Sequence, residues 1–355
     1  MIVNGTPYRT VWLDERTVCA IDQRRLPHTF TIARLSTHRE TAAAIRDMLV
    51  RGAPCIGATA AYGLAQAALE APDSGFASYV RAAEALLRAT RPTAQNLFFA
   101  LDRVMRVIGR AANPAEARAA AVTEANELAD EDVAACKAIG DNGAPLLKDG
   151  MTVLTHCNAG WLATVDWGTA LAPIYVAARN GVKLTVLADE TRPRSQGSKL
   201  TAWELMQEGV DVQVIADNAA GFLLSRGEID LCITGADRIA ANGDVANKIG
   251  TYEKAVVAHA NGVPFYVAAP RSTFDFACAT GADIPIEERD QNEVLVVSGV
   301  DANGVPHDVM IAPAGARARN PAFDVTPARY IAGLVTDEGV FDADSRALSR
   351  LADAG

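Results

Sequence analysis

The sequence predicts an α/β protein: a parallel sheet covered on both faces, preceded by a smaller, mostly helical domain. Three observations carry this expectation. Apolar runs at 151–155, 182–188, 212–216, 229–234 and 263–269 have the length and β-branched content of buried strands. Helical stretches separate them, and a β-α-β-α alternation builds a parallel sheet with helices on each face. The residues before 140 are, by contrast, largely helical in pattern.

The elements follow in order. Residues 1–36 read as short strands and turns, with Thr10-Val11-Trp12-Leu13 and Val18-Cys19-Ala20-Ile21-Asp22-Gln23 as strands. A helix is expected over 40–50, because Ile45, Met48 and Leu49 share one face. A second is expected after Gly57 through the Ala-rich stretch to Leu69, and two more over 74–88 and 94–110. A long Ala/Glu helix is expected over 114–139, with Pro114 in its first turn. Residues 140–150 hold three glycines and a proline and read as the link between domains 1–140 and 141–355. Residues 282–325 are loop-rich, with Pro285, Pro306, Pro313 and Pro321.

Each apolar run stops at a reactive or charged side chain: His156 and Cys157, Asp189 and Glu190, Asp217, Asp237, and Arg271. Ligands of such sheets bind outside the carboxyl ends of the strands. One pocket holding a thiol and several carboxylates is therefore expected.

Composition narrows the class. The 355 residues are 50% hydrophobic and 21% charged, ordinary values for a soluble globular protein. A net charge of −10, with no basic run, argues against a nucleic-acid surface. A small anionic substrate stays open, since a local pocket can oppose the global sign. The N-terminus has no basic segment followed by an apolar core, and no run reaches about 18 apolar residues. No secretory leader and no membrane span are expected, and the location expected is cytoplasmic. Cys19, Cys55, Cys136, Cys157, Cys232 and Cys278 are scattered without a Cys-x-x-Cys, which suggests free thiols rather than disulfides or zinc ligands. No Walker A, G-x-G-x-x-G or His-Glu-x-x-His motif occurs, so nothing in the sequence requires a nucleotide, cofactor or metal.

Four segments could carry chemistry. In Arg51-Gly52-Ala53-Pro54-Cys55-Ile56-Gly57, glycine permits close backbone approach, a helix start favours an anion, and Arg51 offers a planar fork to phosphate. A helix-to-helix turn with a surface arginine fits the same residues. Thr155-His156-Cys157-Asn158-Ala159-Gly160 sets a cysteine where a strand ends and a helix is expected to begin, which would lower its pKa. A small buried hydrophobe is the plainer reading of a cysteine, and His156 is not assigned to catalysis. In Asp189-Glu190-Thr191-Arg192-Pro193-Arg194-Ser195-Gln196-Gly197, Gln196 could offer its amide to a sugar hydroxyl; a solvated, ion-paired loop is the alternative. From Gly235 to Thr251, Asp237 stands at a strand end, and Asn247 with Lys248 is expected to open the next helix. In a dry pocket Asp237 could act as a general acid; a cap or an ion pair with Arg238 is the plainer role.

Taken together these segments resemble the methylthioribose-1-phosphate isomerases of methionine salvage. They form the enzyme branch of a family that also holds regulatory subunits of translation initiation factor 2B. The resemblance rests on Ile21-Asp22-Gln23, Leu26-Pro27, Val50-Arg51-Gly52-Ala53-Pro54, Arg91-Pro92-Thr93 and Asn96-Leu97. It continues in the Cys157 and Asp189 segments, in Gln196-Gly197 with Leu200-Thr201-Ala202, and in Gly235 through Tyr252. Asn320-Pro321-Ala322-Phe323-Asp324-Val325-Thr326-Pro327 closes it.

The resemblance implies a Rossmann-like domain with a small N-terminal domain, a homodimer, and an aldose-ketose isomerase acting on a sugar 1-phosphate. It implies Cys157 and Asp237 as the catalytic positions, with Asp237 as proton donor. Arg51, Gly52, Ala53 and Arg91 correspond to phosphate-binding positions, Gln196 to a substrate contact, and Asn247 and Lys248 to a pair closing over the substrate. Trp161, where a small residue is usual, and Ser198-Lys199, in place of Ala-Arg, depart from the pattern. Trp161 leaves the substituent at the sugar's fifth carbon open, so sister isomerases of ribose 1,5-bisphosphate or 5-deoxyribose 1-phosphate stay alternatives. A non-catalytic regulatory subunit is the other alternative; such subunits generally lack the cysteine-aspartate pair that this chain keeps.

Overall fold

The structure, a computed structural model, describes residues 1–92 and 94–353. Thr93 of the Arg91-Pro92-Thr93 motif lies outside them, as do the last two residues of the chain. The chain forms two compact units, Met1–Lys137 with Gly160–Gly168, and Ala138–Ala159 with Thr169 onward.

In the first unit, β1 (Ile2–Val3) and β2 (Thr6–Pro7) pair as a short hairpin, and β3 (Val11–Asp14), β4 (Thr17–Ile21) and β5 (Ile32–Leu35) form an antiparallel sheet. Helices α1 (His38–Arg46), α2 (Ala53–Glu70), α3 (Phe76–Arg88), α4 (Gln95–Arg110) and α5 (Pro114–Gly143) follow, the last six residues of α5 belonging to the second unit. The expected helix over 40–50 stops at Arg46, because Met48 takes a left-handed φ of 55° while Leu49 and Val50 still bury themselves. α2 starts at Ala53, before the expected Gly57, with Pro54 in its first turn. Its alanines and glycines serve close packing. An added Cβ at Gly63 would lie 2.8 Å from Thr41, and one at Gly57 3.0 Å from the Asn96 carbonyl.

Residues 140–143 of the expected link are helical. α5 runs through Gly140 to Gly143, which belong to the second unit, and both glycines face α6 (Ala172–Arg179) of that same unit. A Cβ on Gly140 would meet Val176 at 2.9 Å, and one on Gly143 would meet Pro173 at 2.5 Å.

The second unit opens as β6 (Thr152–Thr155), α6, β7 (Thr185–Asp189), α7 (Ala202–Gln207), β8 (Asp211–Ile215), α8 (Ala219–Ser225) and β9 (Leu231–Thr234). A hairpin of β10 (Arg238–Ala240) and β11 (Val245–Lys248) precedes α9 (Thr251–Ala260) and β12 (Phe265–Ala268). After β13 (Phe274–Asp275) and α10 (Asn292–Leu295) comes an exposed hairpin of β14 (Val296–Val300) and β15 (Pro306–Met310). β16 (Phe323–Thr326), β17 (Gly333–Thr336), β18 (Gly339–Phe341) and α11 (Ser345–Asp353) complete it.

The main sheet has the order β18-β17-β12-β9-β6-β7-β8 and is parallel apart from β18. β7 and β8 add to one side of β6, while β9, β12 and β17 add to the other. The order therefore reverses between β6 and β9, where open sheets of this Rossmann-like kind bind ligands. Leu154, Leu187, Cys232, Phe265, Val267 and Leu334 pack its core. β8 departs from the expected buried strand: it is an edge, with Val214 47% exposed. A second sheet, β13-β10-β11-β16, is built on the insertion after β9.

Candidate active site

β6 and β9 run side by side, with Val153 opposite Leu231 and Leu154 opposite Cys232. The Thr155 hydroxyl donates to the Ile233 carbonyl at 2.8 Å, carrying the pairing to the strand ends. Adjacent strands lie about 4.8 Å apart. Cys157, two residues past β6, and Asp237, three past β9, therefore leave neighbouring strands on the same edge of the sheet.

Cys157 is half-buried and takes φ 67°. Its N–H donates to the Thr191 hydroxyl at 2.8 Å, and its carbonyl accepts from Thr201 at 2.7 Å. No helix starts at Cys157, contrary to expectation; the next helical turn is Trp161–Ala163. Its setting is two threonines and a nearby cation, not helix-start amides. The two threonines were invisible to sequence reading, since a hydroxyl that caps a loop has no periodic signature.

Asn247 and Lys248 lie in β11 rather than opening α9, which starts at Thr251. Asn247 is buried and donates to the Thr251 hydroxyl at 3.0 Å. Lys248 is 9% exposed; its Nζ donates to the Ala322 carbonyl at 2.8 Å and sits 4.6 Å from the centre of the Phe323 ring. Burial lowers its pKa, and the negative charges of Cys157 and Asp237 act against that shift. The ammonium thus lies within electrostatic reach of both. β11 brings it there by pairing with β10, and the Asp237 N–H donates to the Ala246 carbonyl at 2.9 Å. Asp237 is exposed, so its surroundings do not provide the dry pocket expected for it. Arg238 pairs with Asp275 at 3.6 Å.

Gln196 is buried, and its Oε1 has no hydrogen-bond partner among the described residues. A buried acceptor left open is costly and suits a ligand hydroxyl. The next residue must be glycine, because a Cβ on Gly197 would fall 1.6 Å from the Asp189 carbonyl oxygen. The charged loop around Gln196 is tied down by ion pairs: Arg194 meets Glu293 at 2.8 Å, and the Arg192 guanidinium donates to the Val294 carbonyl. Burial alone would raise the pKa of Glu293, but Arg289 and Arg194 outweigh it and hold it at about 2.

In the first unit, Arg51 is half-buried and directly precedes Gly52, which caps α2 with φ 87°. A Cβ on Gly52 would lie 2.3 Å from the Ala163 carbonyl oxygen, so no other residue fits. Ala53 opens the helix, and no acidic residue occupies its first turn. Arg91 is half-buried just before α4. Trp161 is 1% exposed, a core side chain of this unit rather than an open wall.

His156, Asp189 and Asp217 offer ligand atoms within 4.8 Å of one another. Both Asp217 oxygens already accept backbone N–H groups, from Thr191 and Arg192 at 2.7 Å each. Both ring nitrogens of His156 are engaged as well. The cluster is a hydrogen-bonded one.

Residues 49–343 match the profile described as the Initiation factor 2 subunit family. The chain belongs to this family. Among its members, the protein named methylthioribose-1-phosphate isomerase from Methylorubrum extorquens is 53% identical, over 99% of this chain and 98% of that one. The crystal structure titled 5-methylthioribose 1-phosphate isomerase from Pyrococcus horikoshii OT3 superposes with a TM-score of 0.90 at 43% identity, covering 99% of this chain and 97% of that one. A structure titled translation initiation factor eIF-2B, subunit delta, from A. fulgidus gives 0.86 at 40% identity, covering 98% and 100%.

Proposed function

We propose that the chain is an aldose-ketose isomerase that converts 5-methylthioribose 1-phosphate into 5-methylthioribulose 1-phosphate, a step of methionine salvage. What supports this is 53% identity to a protein of that name over nearly the whole chain, with Cys157 and Asp237 leaving adjacent strands at the switch point of the sheet.

The difficulty of the reaction is physical. The anomeric oxygen is esterified, so the ring cannot open as a free hemiacetal. In the proposed route Asp237 protonates the ring oxygen as its bond to C1 breaks. The Cys157 thiolate takes the proton from C2, and the C2–H electron pair becomes the C1–C2 double bond. Return of that proton to C1, with the C2 hydroxyl proton passing to Asp237, leaves the ketone and an intact phosphate ester. Lys248 and Asn247 hold the substrate, and Gln196 meets a hydroxyl. Arg51, Gly52, Ala53 and Arg91 are assigned to the phosphate on the strength of the resemblance. Fixing a dianion with preset cations supplies orientation and electrostatic stabilisation. Because Asp237 is exposed, displacement of its water by the substrate is what favours its protonated form. The resemblance also supports a homodimer, and the scattered free cysteines suit a cytoplasmic location; no helix among the described residues is long and apolar enough to cross a membrane.

The test is a side-by-side assay of methylthioribose 1-phosphate, ribose 1,5-bisphosphate and 5-deoxyribose 1-phosphate with purified protein. Preferred turnover of the first supports the reading; turnover of none, or clear preference for another, overturns it. In D₂O, deuterium at C1 of the product supports proton transfer, and its complete absence favours a hydride shift.

A further inference from the structure

His156 directly precedes Cys157, and the proposed chemistry leaves it unused. Its imidazole is 1% exposed and the Asp189 carboxylate beside it 0%. Nδ1 lies 2.8 Å from Asp189 Oδ2, and Nε2 lies 2.8 Å from the Ile249 carbonyl oxygen. A carbonyl oxygen only accepts, so Nε2 carries a hydrogen. An ionised carboxylate also only accepts, so a further proton lies between Nδ1 and Oδ2, whichever atom holds it. The pair therefore holds one proton more than a neutral histidine beside an ionised aspartate.

The far end of this link is the Lys248 arm. Ile249 follows Asn247 and Lys248, and Gly250 presses on the ring: with φ 103°, a Cβ there would lie 2.9 Å from both Cε1 and Nε2 of His156. No water fits between. The Gly250 N–H donates to Asp324 at 2.7 Å, which holds the arm from its other side. The imidazole thus ties the strand end carrying the thiol to the segment carrying the ammonium.

We propose that His156, clamped by Asp189, is a positioning residue that fixes the Lys248 ammonium beside the Cys157 thiol and so keeps that thiol ionised at neutral pH. The clamp deepens the isomerase reading and rests on Cys157 being its reacting thiol. Cys157 and Asp237 act on the Lys248 ammonium, as do Arg289 and Glu293. Asp189, Asp217, Lys254 of α9 and Asp324 of β16 surround the imidazole, and Glu253 pairs with Lys254. Lys248 is a cation through which the clamp acts on Cys157.

The test needs no substrate. Iodoacetamide modification of Cys157 is followed against pH by mass spectrometry of its own peptide, because Cys278 is also half-exposed. His156→Gln and Asp189→Asn each move the ionisation midpoint up by about half a unit or more. Lys248→Met does the same, and His156→Gln added to Lys248→Met moves it no further. An unchanged midpoint in a folded single variant, or additive shifts in the double variant, overturns the proposal. If His156→Gln does not fold, Asp189→Asn alone decides. Absence of sugar-phosphate turnover would overturn the isomerase reading and leave this one standing; an unshifted midpoint would do the reverse.

Discussion

Cys157 and Asp237 reach the same sheet edge in different settings, one half-buried between threonine hydroxyls, the other exposed. General acid-base groups typically contribute ~10²–10⁴-fold each. Cys157→Ala and Asp237→Asn should each lower kcat by at least that range, with unchanged melting because neither side chain is part of the packed core. Near-normal turnover in either variant refutes its assignment. Asp132 of α5 offers a cleaner test of burial. Burial pushes its pKa up to about 7, Asp166 adds to the rise, and the Val165 N–H that it accepts at 2.7 Å works against it. The unfolded value is near 3.9, so the folded state binds the extra proton and stability falls as pH rises from about 4 to about 7, then levels. Asp132→Asn keeps an acceptor for Val165 and loses that dependence. Its denaturation midpoint relative to wild type should climb between pH 5 and pH 8; a pH-independent difference would rule out a buried ionisation there.

Among the elements, strands were the legible part. Each of the five apolar runs is a strand of the parallel sheet; four are buried, and a strand covered on both faces is nearly all apolar, while β8 is an exposed edge. What failed were the glycines and the short strands. Gly140 and Gly143 carry the same letters whether they break a helix or let two helices touch, and only the partner α6 decides. Gly143→Val should therefore destabilise by about 1–3 kcal/mol through overpacking, measured by chemical denaturation, whereas a true linker would absorb it without loss. Asn247 and Lys248, expected to open a helix, lie in β11. Four residues paired with a three-residue strand show no period, and their pairing is a long-range choice. The same blindness hid His156, whose partners at Asp189 and Ile249 are 33 and 93 residues away.

At the scale of the whole molecule, fold class follows from alternation, while strand order and the gradient of stability across the sheet follow only from the folded arrangement. Every residue of β9 is buried, as are Val153, Leu154 and Thr155 of β6, and these central strands are paired on both edges. Among the described residues, β8 is paired on one edge only and largely exposed, and the β14–β15 hairpin carries exposed Val309 and Met310 with no third strand beside it. Opening free energies run from near zero at such edges to the global value in the core. Native-state hydrogen exchange should therefore release β14, β15 and β8 amides first, with those of β6 and β9 exchanging only through global unfolding. The Cys157 and Asp237 loops are anchored on the two slowest strands, which places the proposed chemistry on the least yielding part of the sheet. Exchange of β6 or β9 as fast as β8 would show that the switch point is not the rigid platform the burial pattern implies.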